Sequence, residues 1–371
     1  MDTPIPLTDL KREYQSIKPE IDRAIQYALD NANFILGKTV EDFENAFAGF
    51  CQTKYAVGVA NGTDALRLAL IACGIGKGDE VLIPCFTFIA TAEAVILVGA
   101  IPRLIDVDSK TFNIDTRKAE NAITNKTKAV IPVHLFGQPV DMNSLQKIAR
   151  KNSLIIIEDV AQAHGAENFG KRVGSFGRAG CFSFYPSKNL AAYGDGGAVV
   201  SNDADLVAKI KLLRDHGRTE KYLHGIVGFN SRLDAIQAAV LSVKLKYLDK
   251  WNEKRRTIAE WYRTSLANVS EIVLPHSVPN TEPVYHLFVI RAKQRDELRT
   301  ALQERGIQTG VHYYPPLHLQ PSLSSLGYKK GDFPISEQLS NEVLSLPIFP
   351  AMEKEDVTRI AETIRKFYSS K

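Results

Sequence analysis

The sequence predicts an α/β protein: a large domain with a mostly parallel central sheet flanked by helices, then a smaller α+β domain. Three observations predict it. Between residues 80 and 157, strand-like and helix-like patterns alternate without interruption, and strands separated by helices pair in parallel. Leu154, Ile155, Ile156 and Ile157 are apolar at every position, as expected for a strand covered on both faces. Beyond a long helical stretch the pattern starts afresh, so the 371-residue chain is expected to divide into domains at 1–245 and 246–371.

Taken in order, the elements begin with a helix over 17–29, where Ile17, Ile21, Ile25 and Leu29 recur at one-face spacing. A second helix is expected over 40–50, with Phe43, Phe47 and Phe50 turned toward the core. Residues 55–60 read as a strand, 61–64 as a turn and 65–72 as an Ala- and Leu-rich helix. Strand 80–84, helix 90–98, strand 101–107, helix 115–123, strand 129–134, helix 142–150 and strand 154–157 follow. Cys181 to Phe184 is a further strand, which Pro186 closes because proline has no amide proton to donate. Then come strand 198–201, helix 206–213 and a polar, glycine-containing loop over 215–231 of the kind that carries binding residues. The pattern from 233 to 266 is helical, with Trp251 and Trp261 packing. In the C-terminal part strands are expected at 284–290 and 310–313, and helices at 297–304, 336–344 and 357–367.

Composition narrows the function classes. Lys and Arg total 46 against 42 Asp and Glu, and the charges are interspersed, so nothing asks for nucleic acid or an anionic membrane surface. The four cysteines lie in apolar segments without CxxC or Cys/His spacing, which reads as buried reduced thiols and a cytoplasmic protein. No leader-like or membrane-spanning apolar run is seen. His134 and His164 lack a third close ligand, so no metal site is expected, and His134 reads as a strand-end hydrogen-bonding residue.

The chemistry concentrates at the ends of the strands, where ligands bind in parallel sheets. Gly62, Thr63 and Asp64 stand at a helix start, whose free amides and dipole suit a phosphate; equally, Thr63 or Asp64 could simply cap its own helix. Neither GxxxxGK[ST] nor GxGxxG is present there. Thr87 and Phe88 follow one strand, His134 and Gln138 another, and Glu158, Asp159, Gln162 and His164 a third. Asp159 fits either a turn-holding role or a carboxylate facing a cationic nitrogen. Lys188 follows Ser183 and precedes Gly194, Gly196 and Gly197; a lysine held past a strand end, with its amine kept neutral by burial, is a nucleophile toward an aldehyde. A phosphate cradle, a strand-end carboxylate and a lysine are what pyridoxal phosphate requires.

The stretches VANGTDAL, DEVLIPCFTFIAT, PVHLFGQPVDM, IIEDVAQAHGA, GCFSFYPSKNLAAYGDGGAVVSND, GFNSRLDAIQAA and RGIQTGVHYYPPLHLQP together resemble the DegT/DnrJ/EryC1/StrS family of sugar aminotransferases, over nearly the whole chain. The resemblance implies the fold-type-I architecture of pyridoxal-phosphate enzymes. It implies that Lys188 forms the Schiff base and then carries protons, that Asp159 pairs with the pyridine nitrogen, and that Gln162 bonds the ring hydroxyl. Gly62, Thr63, Asp64 and Ser183 would hold the phosphate, and Phe88 would cover the ring. Asn230 would reach the phosphate of the other subunit, which implies a homodimer with shared sites. Tyr185, His312 and Tyr313 would contact the sugar or nucleotide. The implied reaction takes an amine from L-glutamate, leaving pyridoxamine phosphate, and gives it to a nucleotide-linked keto-sugar, with C-3 of a dTDP-3-keto-6-deoxyhexose favoured by HLFGQPVDM. Amination at C-4, a keto-inositol substrate and a non-enzymatic regulator of the same fold stay open as alternatives. A dehydratase branch with histidine in place of the lysine is disfavoured by Lys188.

Overall fold

A computed structural model describes residues 3–276 and 278–369. Among these, the central sheet has seven strands in the spatial order Tyr55–Val59, Gly197–Ser201, Ala179–Ser183, Ile155–Asp159, Thr127–Val130, Glu80–Pro84 and Ile101–Ile105. Each neighbouring pair from Ala179–Ser183 to Ile101–Ile105 is parallel, whereas Gly197–Ser201 runs antiparallel to both of its neighbours. The reversal has a local cause. Parallel neighbours need a crossover, usually a helix, but the chain between Ser183 and Gly197 forms no helix and turns back at the same edge. That turn carries Lys188.

Both faces of the sheet are covered. On one, Val57, Val81, Ile83, Ile157 and Val199 pack with Leu66, Leu68, Leu70 and Ile210. On the other, Phe47 meets Phe182 and Phe184 edge-on at 4.9 and 5.3 Å between ring centres. Phe43 and Phe47 are wholly buried and Phe50 is half-buried, so the expected aromatic face of helix Lys38–Phe50 is a core face. Burying each such ring stabilises the fold by roughly 2 kcal/mol.

The C-terminal part builds its own cluster around an antiparallel sheet of Ile272–Val273, Phe288–Ala292 and Val343–Leu346. Ile5 joins that cluster from the other end of the chain, bridging in parallel to Ile307. No helix among the described residues is long and apolar enough to cross a membrane.

Several elements differ from the sequence expectation, each for a physical reason. Helix Leu10–Asp30 buries Ala28 and leaves Leu29 47% exposed, because a strict four-residue step drifts around a 3.6-residue helix. The turn over 61–64 is already helical: helix Gly62–Ala72 starts there, and Asn61, not Thr63 or Asp64, caps it by accepting from the Asp64 amide at 2.8 Å. The helix over 233–266 is two helices, Ala235–Leu245 and Leu248–Leu266, with Tyr247 between them bonding Glu20 and stacking on Trp251. The loop over 215–231 contains a short ribbon, Arg218–Glu220 with Leu223–His224. The expected strand at 310–313 is reduced to one bridge, Gly310 to Ser345, because His312 and Tyr313 leave the sheet to line a pocket. The helix over 336–344 spans Pro334–Glu342, and the apolar run after it is the strand Val343–Leu346, buried at every position. The strand expected at 284–290 sits later, at Phe288–Ala292.

Candidate active site

A pocket of about 450 Å³ opens at the edge where the parallel strands end. Gly62, Thr63, Phe88, Asp159, Gln162, Ser183, Tyr185, Lys188, His312 and Tyr313 all line it. Two candidates do not. The Asp64 amide is taken by Asn61 and its carboxylate pairs with Arg67 at 2.8 Å, so Asp64 faces away from the pocket. Asn230 is exposed outside it, its backbone bridged to Asp215.

Strand alternation separates Glu158 from its neighbour Asp159. Asp159 faces the pocket, where its Oδ2 accepts from the Thr91 hydroxyl at 2.9 Å and its Oδ1 from the Ala161 amide at 3.2 Å. Burial raises its pKa against those hydrogen bonds and the charge of Lys188. Glu158 points behind, accepting from the amides of Gly174, Phe176 and Gly177. The Val140 amide donates to His134 Nδ1 at 3.0 Å, which puts the ring proton on Nε2, 3.1 Å from Glu158. His134 and Glu158 therefore brace the strand ends from behind, while the His134 amide donates to the Asp159 carbonyl at 3.1 Å.

Gln162 is oriented by the Phe136 amide, which donates to its Oε1 at 2.7 Å, so its Nε2 donates to the Tyr313 hydroxyl at 2.7 Å. One N–H of that amide stays available to the pocket. The helix start beside Ser183 is equally local. Helix geometry leaves the Gly62 and Thr63 amides without intrahelical partners. A Cβ on Gly62 would lie 2.6 Å from the Ser183 Cβ, so only glycine lets the helix start and the Ser183 hydroxyl share one side of the pocket. Lys188 lines the same pocket; burial of its amine lowers the pKa to about 8, against the pull of Asp159 in the other direction.

The profile of the DegT/DnrJ/EryC1/StrS aminotransferase family matches residues 15–365. The chain belongs to this family. It is 47% identical, over 98% of its own length and 99% of the other, to an Aneurinibacillus thermoaerophilus protein named dTDP-3-amino-3,6-dideoxy-alpha-D-galactopyranose transaminase. It is 46% identical, over 98% of both chains, to a Geobacillus stearothermophilus protein named as a pleiotropic regulatory protein. The crystal structure of Streptomyces venezuelae DesV in complex with a ketimine intermediate superposes with a TM-score of 0.97 at 44% identity, covering 99% of both chains. The mixed α/β fold is that of these aminotransferases.

This aminotransferase fold also brings to the pocket residues that sequence reasoning did not select. Thr91 falls within the helix expected over 90–98, yet it holds Asp159. Leu7 and Thr8 arrive from the first described segment, which pairs with residues 306–308 through Ile5 and Gln308. His286 comes from the C-terminal part. None carries a local motif; a histidine in YHLF or a threonine on a helix is placed by tertiary pairing alone.

Proposed function

We propose that the chain is a pyridoxal-phosphate-dependent aminotransferase that moves an amine from L-glutamate to C-3 of a dTDP-3-keto-6-deoxyhexose. The single observation that carries the reading is the pairing, in one pocket, of a lysine amine whose pKa burial lowers to about 8 with the buried Asp159 carboxylate. The residues present fit the cofactor: Gly62 and Ser183 leave a cradle that a Cβ would fill, and the helix start beside it leaves the Gly62 and Thr63 amides without intrahelical partners.

When bound, pyridoxal phosphate supplies an aldehyde for an amine and a ring that draws electrons from the carbon losing its proton. Lys188 is the amine that holds the cofactor and, once released, accepts and returns protons at Nζ. Near neutral pH a pKa of about 8 leaves a useful neutral fraction, which an ordinary lysine lacks. Asp159, locked by Thr91 and Ala161, presents a carboxylate that keeps the ring nitrogen protonated. The Gly62 and Thr63 amides and the Ser183 hydroxyl bind phosphate. The free N–H of Gln162 would bond the ring oxygen, and Phe88, 5.8 Å from Tyr313 between ring centres, would supply an aromatic face for the ring. Tyr185, His312 and Tyr313 bind the sugar nucleotide.

On this reading residues 1–245 hold the cofactor, and 246–371 close the pocket with His286, His312 and Tyr313. Asn230 serves the partner's site, so the working unit is a cytoplasmic homodimer. The names of the relatives support a C-3 sugar, and one supports the second reading, a regulator. The complete set of Lys188, Asp159, Gln162 and Ser183 favours the enzyme.

The test is an absorbance spectrum of the purified protein at the Schiff-base band. L-Glutamate should bleach the band, and a 3-keto dTDP-sugar, but not its 4-keto isomer, should restore it. Recovery with keto-inositols alone would move the substrate. A protein that gains no band with pyridoxal phosphate, or a Lys188→Ala variant that keeps it, would end the enzyme reading in favour of the regulator.

A further inference from the structure

A neutral hydrogen-bond acceptor lines the pocket, and its orientation is set from behind. The setting starts at a backbone carbonyl: Asn252 Nδ2 donates to that of His164 at 2.8 Å, which leaves Asn252 Oδ1 as an acceptor. Asn189 Nδ2 donates to this oxygen at 2.9 Å and to the Val284 carbonyl at 3.0 Å. Asn189 therefore turns its own oxygen to His286, whose Nδ1 lies 3.2 Å away. An amide oxygen only accepts, so Nδ1 carries the imidazole proton and Nε2 keeps its lone pair.

His286 Nε2 makes no hydrogen bond among the described residues, yet it is not sealed in. The fully enclosed side-chain nitrogens without a partner include both of His164 but not Nε2 of His286. His286 as a whole is only 5% exposed and lines the pocket, so the open surface at Nε2 belongs to the pocket. Its backbone is held as well, by Arg255 Nη1 donating to the Tyr285 and Ile348 carbonyls at 3.2 and 2.9 Å. Burial, aided by Lys188, Arg255, His312 and His164, holds the ring pKa well below the usual histidine range, so the ring stays neutral. A neutral nitrogen that only accepts discriminates by chemistry: it repels the lone pairs of a carboxylate, a phosphate or a ketone oxygen and bonds a hydroxyl. Gln162 Nε2 and the Tyr313 hydroxyl, on the same pocket, each have a proton to offer instead.

Taking the amine acceptor to be a hydroxylated keto compound, as in the proposed function, we propose that His286 determines specificity for it: Nε2 accepts a hydrogen bond from a ring hydroxyl next to the keto carbon. The substrate must then keep an oxygen on that carbon, because a buried acceptor left without a partner costs binding energy. L-Glutamate, which presents carboxylates, gains nothing from the ring.

The test uses the full-length protein saturated with pyridoxal phosphate. Nitrogen-15 NMR of labelled histidine, assigned through the chain, should show the Nδ1–H tautomer of His286 near neutral pH. Adding dTDP-6-deoxyglucose, which has the hydroxyls but no ketone to react, should move the Nε2 resonance, and dTDP alone should not. A proton on Nε2, or an Nε2 resonance that moves with dTDP alone or with neither the sugar nucleotide nor myo-inositol, would overturn the proposal without any variant. A response to myo-inositol and not to the sugar nucleotide would keep the hydroxyl contact and sink the dTDP-sugar reading instead. Removing one of the two hydroxyls that flank C-3, at C-2 or C-4, should weaken binding about tenfold, and His286→Phe should weaken dTDP-6-deoxyglucose by a similar factor. The deoxy sugar that loses affinity should lose little more in His286→Phe, since the ring and the hydroxyl are partners. The glutamate concentration that half-bleaches the Schiff-base band should shift far less than the sugar affinity. A folded His286→Phe protein that binds dTDP, the sugar nucleotide and glutamate equally more weakly would make the ring merely a wall of the pocket and overturn the assignment.

Discussion

Gln162 Nε2 donates to the Tyr313 hydroxyl at 2.7 Å, joining the edge of the central sheet to the C-terminal part across the pocket. Because the Phe136 amide fixes the Gln162 orientation, the Tyr313 oxygen must accept, and its own proton is free for a ligand.

Tyr313→Phe should therefore cost about 1 kcal/mol of stability in urea unfolding, the usual worth of one such bond with a polar group left behind. Gln162→Ala should cost more, since the Phe136 amide loses its acceptor too. Equal losses from the two changes would mean that the Phe136 contact contributes nothing.

Gly62→Ala places a methyl group against Ser183 and should lower stability by about 1–3 kcal/mol, the range for forced overpacking. It should also weaken pyridoxal-phosphate binding at least about tenfold, equivalent to about 1.4 kcal/mol. Adding Ser183→Gly removes the nearest atom and should recover part of the stability but not the binding, because the hydroxyl is lost with it. Thermal unfolding and fluorescence titration read the two effects separately.

The rate at which the cofactor-free protein captures pyridoxal phosphate should rise with pH to a plateau with a midpoint of about 8, since only the neutral amine attacks. Stability should move in the same direction. Folding lowers the lysine pKa from 10.5, so between about 8 and 10.5 the unfolded chain binds more protons. Stability from this group accordingly increases as pH rises through that window, and below it the burial penalty is paid in full. Lys188→Met should flatten the pH dependence; a Met variant with the same slope would point to a different group.

Asp159→Asn keeps a side chain that can accept from Thr91 but removes the charge that raises the Lys188 pKa. The amine should titrate below the present value of about 8, and kcat should fall by about a hundredfold or more as the ring nitrogen loses its counter-charge. A variant with a lowered midpoint but full kcat would uncouple Asp159 from the ring.

What could be read from the sequence was what local pattern encodes. The alternation from Glu80 to Ile157, the apolar run from Leu154 to Ile157 just before Asp159, and a lysine between a strand and glycines are each written within a few neighbouring residues. The pocket that gathers Gly62, Asp159, Gln162, Ser183 and Lys188 follows from them, because parallel strands deliver their ends to one edge. What could not be read depends on distant pairing. Gly310 to Tyr313 has the composition of a strand, but tertiary contacts give His312 to Ser345 at 2.8 Å and Tyr313 to Gln162. The Asp64 side chain looked available until Arg67, three residues on, claimed it. Thr91, His286 and Leu7 have no motif that separates them from ordinary core residues.

The Leu7 amide reaches Gln308 across 301 residues of sequence, and that contact helps set Leu7 beside a pocket whose lysine lies near the middle of the chain. The chamber around Lys188 is thus walled by segments far from it on both sides in the chain, Leu7 and Thr8 before it and His286, His312 and Tyr313 after it. The burial that lowers the lysine pKa to about 8 belongs to that whole enclosure, so loosening a distant seam would reach the amine without touching it.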